Sequence, residues 1–182
     1  MHEIPEGLLL DLPATLQDIE ISHCNLTSLP VHLDIAWANV ETLYIEYCDL
    51  DEFPPMVLRM EIDDLSLAGN KLTNVPALPD NYFSLALSNN RQLASLDNNA
   101  ATIRRLAFLA LENTALASFP PWIERSGAKV TAFGTEFCAN LPPAELETHY
   151  GAGAALTCID TNSRTNGRYP LEFVEALRYS NH

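Results

Sequence analysis

One short pattern recurs along this chain, and few folds can accommodate it. LQDIEISHCNLTSLP covers 16–30, VETLYIEYCDLDEFP 40–54, IDDLSLAGNKLTNVP 62–76, YFSLALSNNRQLASL 82–96 and LAFLALENTALASFP 106–120. A degraded sixth copy, KVTAFGTEFCANLP, covers 129–142. The central apolar residues Ile19, Leu43, Leu65, Leu85, Leu109 and Val130 lie 24, 22, 20, 24 and 21 residues apart. A unit of this size cannot bury its apolar face alone, so the copies must stack on one another.

The chemistry of each position follows from stacking. Leu43 and Ile45 alternate with Tyr44 and Glu46, the period of a half-buried strand. Stacked copies then form a parallel sheet with strands about 4.8 Å apart. Where the chain turns inward, strand pairing leaves backbone groups unsatisfied. Small hydrogen-bonding side chains at Cys24, Cys48, Asn70, Asn90 and Thr114 are placed to satisfy them, copy by copy. Asn offers more donors and acceptors than Cys or Thr, so this ladder is expected to be weaker at both ends than at Asn70 and Asn90. Leu26, Leu50, Leu72, Leu93 and Leu116 then enter the core, followed by Leu29, Phe53, Val75, Leu96 and Phe119. Pro30, Pro54, Pro76 and Pro120 end that leg. The outer segments VHLDIAWAN and MVLRME are too short for long helices. They are expected to form single helical or 3-10 turns, with Ile35, Trp37, Leu58 and Met60 touching the core. DNNAATIRR, 97–105, is expected to hold a slightly longer turn.

The copies follow the pattern L-x-x-L-x-L-x-x-(N or C)-x-L, and over roughly residues 4–142 the chain resembles the leucine-rich repeat family. The resemblance implies an α/β solenoid. A curved parallel β-sheet would line its concave side, short helical, 3-10 or irregular segments its convex side, and a helical cap its C-terminus. Residues 1–15 would be a partial N-terminal repeat, 16–142 the repeats and 143–182 the cap. IPEGLLLDLPA resembles the tail of an earlier copy, with nothing before Ile4 to cap the stack. Further sequence upstream is therefore expected, the alternative being a short, poorly capped native start. At the other end RYPLEFVEALRY reads as a helix, with Pro170 at its first position and Leu171, Val174 and Leu177 on one face. By analogy with the cysteine-bearing caps of extracellular leucine-rich repeat proteins, a Cys138–Cys158 disulfide would staple this lid. Two free buried thiols are the alternative. Cys24 and Cys48 occupy equivalent turns about one strand spacing apart, within disulfide reach. Their side chains run side by side into the core, however, and free thiols are expected. His23 lies close to both, but no fourth ligand completes a metal site. No metal or other cofactor is expected.

Charge divides the chain. Residues 1–64 hold fourteen acids against one base, Arg59, a net of −13, whereas the remainder holds ten acids against nine bases. A nucleic-acid partner would need clustered Lys and Arg and is not expected. No apolar run approaches the ~18 residues of a membrane span, so no direct membrane contact is expected either. There is no basic leader with a small-residue cleavage site. The natural partner of the acidic half is a basic protein surface or a cation, unless the acids serve only solubility.

In the implied fold, outward strand positions are held rigidly and are free to recognise a partner. Here they include Asp18, Glu20, Thr42, Tyr44, Glu46, Asp64, Ser66, Ser84, Phe108 and Glu112. An aromatic at Tyr44 among acids suits a basic peptide or a Lys/Arg-rich patch, and a solvated sheet face is the alternative. No P-loop, G-x-S-x-G or H-E-x-x-H is present, so catalysis is not expected. The expected function is non-catalytic protein–protein interaction, in a secreted or membrane-attached receptor-like protein. A cytoplasmic scaffold or regulatory module and a non-binding spacer are the alternatives. The triplet Asn25-Leu26-Thr27 is an N-x-T sequon compatible with secretion.

Overall fold

The structure, a computed structural model, describes residues 2–98, 103–143, 147–150 and 154–160. Its strands are β1 (Asp18–Ser22), β2 (Thr42–Glu46), β3 (Asp64–Ser66), β4 (Asn74–Val75), β5 (Ser84–Ala86), β6 (Ser95–Leu96), β7 (Phe108–Ala110), β8 (Lys129–Thr131), β9 (Glu147–Tyr150) and β10 (Ala154–Thr157). One eight-stranded sheet runs β1-β2-β3-β5-β7-β8-β10-β9. The first seven strands in that order are mutually parallel, and β9 is antiparallel to β10. The chain is therefore α/β, with consecutive copies side by side.

Register follows the apolar anchors. Ile19 faces Leu43, which faces Leu65, and the row continues through Leu85, Leu109 and Val130 to Leu156. All seven are buried in one core. A one-residue slip anywhere would move a strand's whole apolar set to the other face, so burial locks the register. On the return leg, β4 and β6 form a second, two-stranded parallel sheet that pairs Val75 with Leu96.

Four short helical turns build the outer layer together with a 3-10 turn at Glu6–Leu8. They are α1 (Leu33–Ala36), a 3-10 turn at Pro55–Arg59, α2 (Pro121–Ser126) and α3 (Glu136–Ala139). Trp37 and Met60 are buried as expected, and Leu58 packs partly against the core. Ile35 does not; it is 75% exposed. Leu33 and Trp37, four apart, share the inward side of α1, so Ile35 between them points away. Met56 and Val57 are fully buried in the next copy. The Trp37 indole N–H donates to the Leu8 carbonyl (2.7 Å) and that of Trp122 to the Asp97 carbonyl (2.9 Å), tying outer segments of successive copies together.

Ile4 belongs to the core, and Leu8, Leu9, Leu12 and Leu16 pack against it, so the segment before β1 covers the flank of the stack. The described part of 143–182 includes the strand pair β9–β10, which continues the sheet. Small residues around Leu156 carry little periodic signal, and the pairing of Leu156 with Val130 is what makes this segment a strand. The helix expected over 168–179 lies outside the described residues, as does the middle of the turn expected over 97–105.

The ladder is strongest at its middle. The Asn70 amide donates to the carbonyls of Ile45 (2.7 Å) and Leu67 (3.0 Å), and its Oδ1 accepts from the Leu50 N–H (3.2 Å). Asn90 repeats the arrangement one copy later, donating to Leu67 and Leu87 and accepting from Leu72. Each Asn thus ties its own copy to the preceding one. Thr114 makes a single such bond, to Leu111 (2.8 Å). Thr135 is a sixth rung, donating to Ala132 and accepting from the Cys138 N–H. Removing a buried partner costs about 1–3 kcal/mol per unsatisfied group. Asn90→Ala is therefore expected to destabilise the protein by about 3 kcal/mol or more and Thr114→Ala by about 1 kcal/mol. Urea unfolding of the two variants checks the difference.

Candidate functional site

The face of the sheet opposite the core carries the outward side chains in rows. Asp18, Thr42, Asp64, Ser84, Phe108 and Lys129 form one row; Glu20, Tyr44, Ser66, Ala86, Ala110 and Thr131 form the next. Ser22 and Glu46 begin a third. Backbone bonds from Tyr47 to Ala68, Gly69 to Ser88 and Asn89 to Glu112 carry it onward. All ten outward residues named from the sequence thus lie on one face. In the first row Thr42 separates Asp18 from Asp64, placing the acids two strand spacings, about 10 Å, apart. Repulsion at that distance is about 0.4 kcal/mol in water.

Exposure divides these residues. Asp18 and Glu20 are exposed; Thr42, Ser84, Phe108 and Glu112 are half-buried; Tyr44, Glu46, Asp64 and Ser66 are buried. Tyr44, at 7% exposure, nonetheless lies outside the apolar core cluster. The Glu46 carboxylate, also 7% exposed, accepts a short hydrogen bond from the Ser66 hydroxyl, and Ser88 donates another to Glu112. Burial pushes the Glu46 carboxyl above the ordinary range; the Ser66 bond opposes this and the nearby Glu20 charge adds to it.

A further row, not anticipated from the sequence, borders this face. The residue before each ladder position is left-handed: His23 (φ 52), Tyr47 (φ 50), Gly69 (φ 70), Asn89 (φ 62), Asn113 (φ 55) and Gly134 (φ 76). Their side chains meet in sequence. The His23 and Tyr47 rings stack at 5.2 Å, and Tyr47 lies against Gly69, where an added Cβ would sit 2.5 Å from its ring. Asn89 donates to the Tyr47 hydroxyl (3.1 Å) and Asn113 to Asn89 (3.0 Å). A Cβ on Gly134 would meet the Asn113 amide. Burial raises the Tyr47 hydroxyl's pKa, Glu46 adds to the rise and the Asn89 bond lowers it. The signal was in the sequence: Gly and Asn, the residues most tolerant of positive φ, hold four of the six positions. His23 and Tyr47 concealed the pattern.

Cys24 and Cys48 are disulfide-bonded, with Cα atoms 4.6 Å apart, which corrects the expectation of free thiols. Neighbouring ladder positions bring the two side chains together, and with no hydrogen-bonding amide at either rung they bond to each other. Cys138 and Cys158 form the second bridge, at a Cα separation of 5.5 Å, joining α3 to the end of β10. No cysteine is free. Among the described residues no group of three or more His, Cys, Asp or Glu is placed to hold a metal ion, and no helix is long and apolar enough to cross a membrane. Neither the protein-family models nor the curated proteins compared with the chain gave a match.

Two expectations follow from this geometry. Glu46 has a raised folded-state pKa, so its contribution to stability is present below the ordinary value of 4.5 and is lost as pH rises through the folded-state pKa. Glu46→Gln is expected to gain stability relative to wild type as pH is raised from about 4 to about 8. Paired urea midpoints across that range check it; a constant offset would contradict the assignment. Gly69→Ala is expected to cost about 1–3 kcal/mol, from left-handed strain and the Tyr47 ring together. The loss should shrink in a Tyr47→Ala background, where only the backbone strain remains, and a double-mutant cycle measures it.

Proposed function

We propose that this chain is a leucine-rich repeat module that binds a protein or peptide with a basic patch, non-catalytically, on the outward face of its sheet. The observation that carries the reading is the in-register row structure of that face. Successive copies place their variable outward residues side by side on a scaffold whose core, ladder and register are held independently of them. Exposed residues on such a surface, such as Asp18 and Glu20, change without disturbing the fold. Support for the family reading comes from the coincidence of the repeated pattern with the paired strands and with the ladder bonds of Asn70 and Asn90.

The acids that a partner meets first are Asp18 and Glu20, exposed on β1 at the acidic end of the chain. They steer a basic partner and orient it along the rows. Tyr44 and Glu46 lie deeper and act as shape and support rather than as a free-standing anchor. The two disulfides support a working environment that is oxidising, either outside the cell or on the exposed part of a membrane-attached protein, rather than the cytoplasm. A scaffold role in the cytoplasm has no observation that favours it.

The test uses an array of basic, neutral and acidic peptides of equal length, titrated at low and high salt. Basic peptides are expected to bind preferentially, with affinity falling as salt rises. Asp18→Lys combined with Glu20→Lys is expected to weaken binding about tenfold, or about 1.4 kcal/mol, at unchanged thermal stability. Binding indifferent to both salt and substitution would overturn the acidic-face reading. A lack of binding to every peptide would favour a spacer.

A further inference from the structure

We infer that Asn25 is an N-linked glycosylation site, carrying a glycan that projects from the first copy of the stack and leaves the outward face of the sheet open. Asn25-Leu26-Thr27 is the one N-x-Ser/Thr triplet in the chain. A triplet alone is weak; its placement strengthens it. Leu26 is fully buried, whereas Asn25 and Thr27 on either side are exposed. The alternation turns both acceptor-motif side chains to solvent while the residue between them anchors the segment. Neither side chain takes part in a hydrogen bond among the described residues, so a modification at the Asn25 amide breaks no hydrogen bond among them.

The other copies show that this position tolerates solvent and bulk. Its equivalents are Asp49, Lys71 and Arg91, and Asp49 pairs with Lys71 at 2.7 Å on the surface. The equivalents of Thr27, at Asp51, Thr73, Ala94 and Ala117, are all exposed. The chain has already left β1 at His23 and turned inward at Cys24, so the glycan stands on the leg that departs from the sheet, away from Asp18 and Glu20. Cys24, next to the acceptor, is fixed by its bond to Cys48. Disulfide formation and N-glycan transfer share the oxidising lumen of the eukaryotic secretory route.

The transfer balances simply. The Asn25 side-chain amide nitrogen displaces a lipid-linked diphosphate from the first sugar of a preassembled oligosaccharide, forming a C–N glycosidic bond and releasing the lipid diphosphate and a proton. The inference rests on the extracellular reading proposed above, and the experiment separates the two. The full chain is secreted from cultured eukaryotic cells behind a cleavable leader. Its intact mass is measured with and without peptide-N-glycosidase F, and its thiols are titrated after unfolding without reductant. The expected result is one glycan on wild type, conversion of residue 25 to aspartate on enzymatic release, no glycan on either Asn25→Gln or Thr27→Ala, and no free thiol in any of the three. Thr27→Ala leaves Asn25 in place, so loss of the glycan there assigns the motif even if Asn25→Gln folds poorly. A secreted, fully disulfide-bonded wild type without glycan would overturn this inference and leave the extracellular reading standing. A chain retained in the cells with free thiols would overturn both.

Discussion

The structure depends on satisfying the backbone groups that turn inward at the end of each strand. A parallel sheet pairs the strands but abandons these groups in the interior, where an unpaired carbonyl or N–H costs about 1–3 kcal/mol. Asn70 and Asn90 answer for them with an amide that bonds to carbonyls of its own copy and of the preceding one. Because each rung spans two copies, it fixes both the distance between them and their register. The alignment of Leu43 with Leu65 and of Leu65 with Leu85 follows from the same bonds, as does the separation of a buried face from an outward one.

Where the hydrogen-bonded ladder thins, covalent bonds stand in. The first two rungs are Cys24 and Cys48, which have no amide to offer, and they are joined to each other. At the other end the rungs are Thr114 and Thr135, and the Cys138–Cys158 bridge closes a loop beside them. Each bridge contributes about 3 kcal/mol by constraining the unfolded chain over a loop of this length. A stack of repeats opens most readily at its ends, where a copy has one neighbour in place of two. Both bridges lie in these regions. The left-handed row from His23 to Gly134 adds a third tie between copies, on the border of the outward face, so that face is held along its edge as well as from beneath.

This rigidity bears on the outward face. The scaffold places Glu46 and Asp64 in buried positions and leaves Asp18 and Glu20 in water. Acids of equal formal charge therefore do different work. Exposed ones contribute to the field around the molecule and would steer the basic partner proposed for it, whereas burial makes Glu46, held by Ser66, resist ionisation. The opposite end of the chain, nearly neutral, supplies small side chains such as Ala86 and Ala110 to the same rows. Formal net charge is thus concentrated in the first 64 residues, which carry β1, β2 and the start of β3.

The strands β1, β2, β3, β5, β7 and β8, the buried row from Ile19 to Val130 and the ladder positions from Cys24 to Thr114 were legible in the amino-acid sequence, whereas the β4–β6 pair and the rung at Thr135 were not. Period-two alternation and the chemistry of one small polar residue are properties of a few consecutive residues, and five near-complete copies reinforce them. The tertiary structure alone decided that Cys24 bonds to Cys48, that Ile35 faces water, that Leu156 extends the sheet, that Tyr47 packs on Gly69, and which outward acids are buried. Apart from Ile35, which the turn of α1 itself carries outward, each of these depends on what a neighbouring copy places alongside, some twenty or more residues away in sequence. Local pattern says which way a side chain points, but only the packed neighbours determine what it meets there.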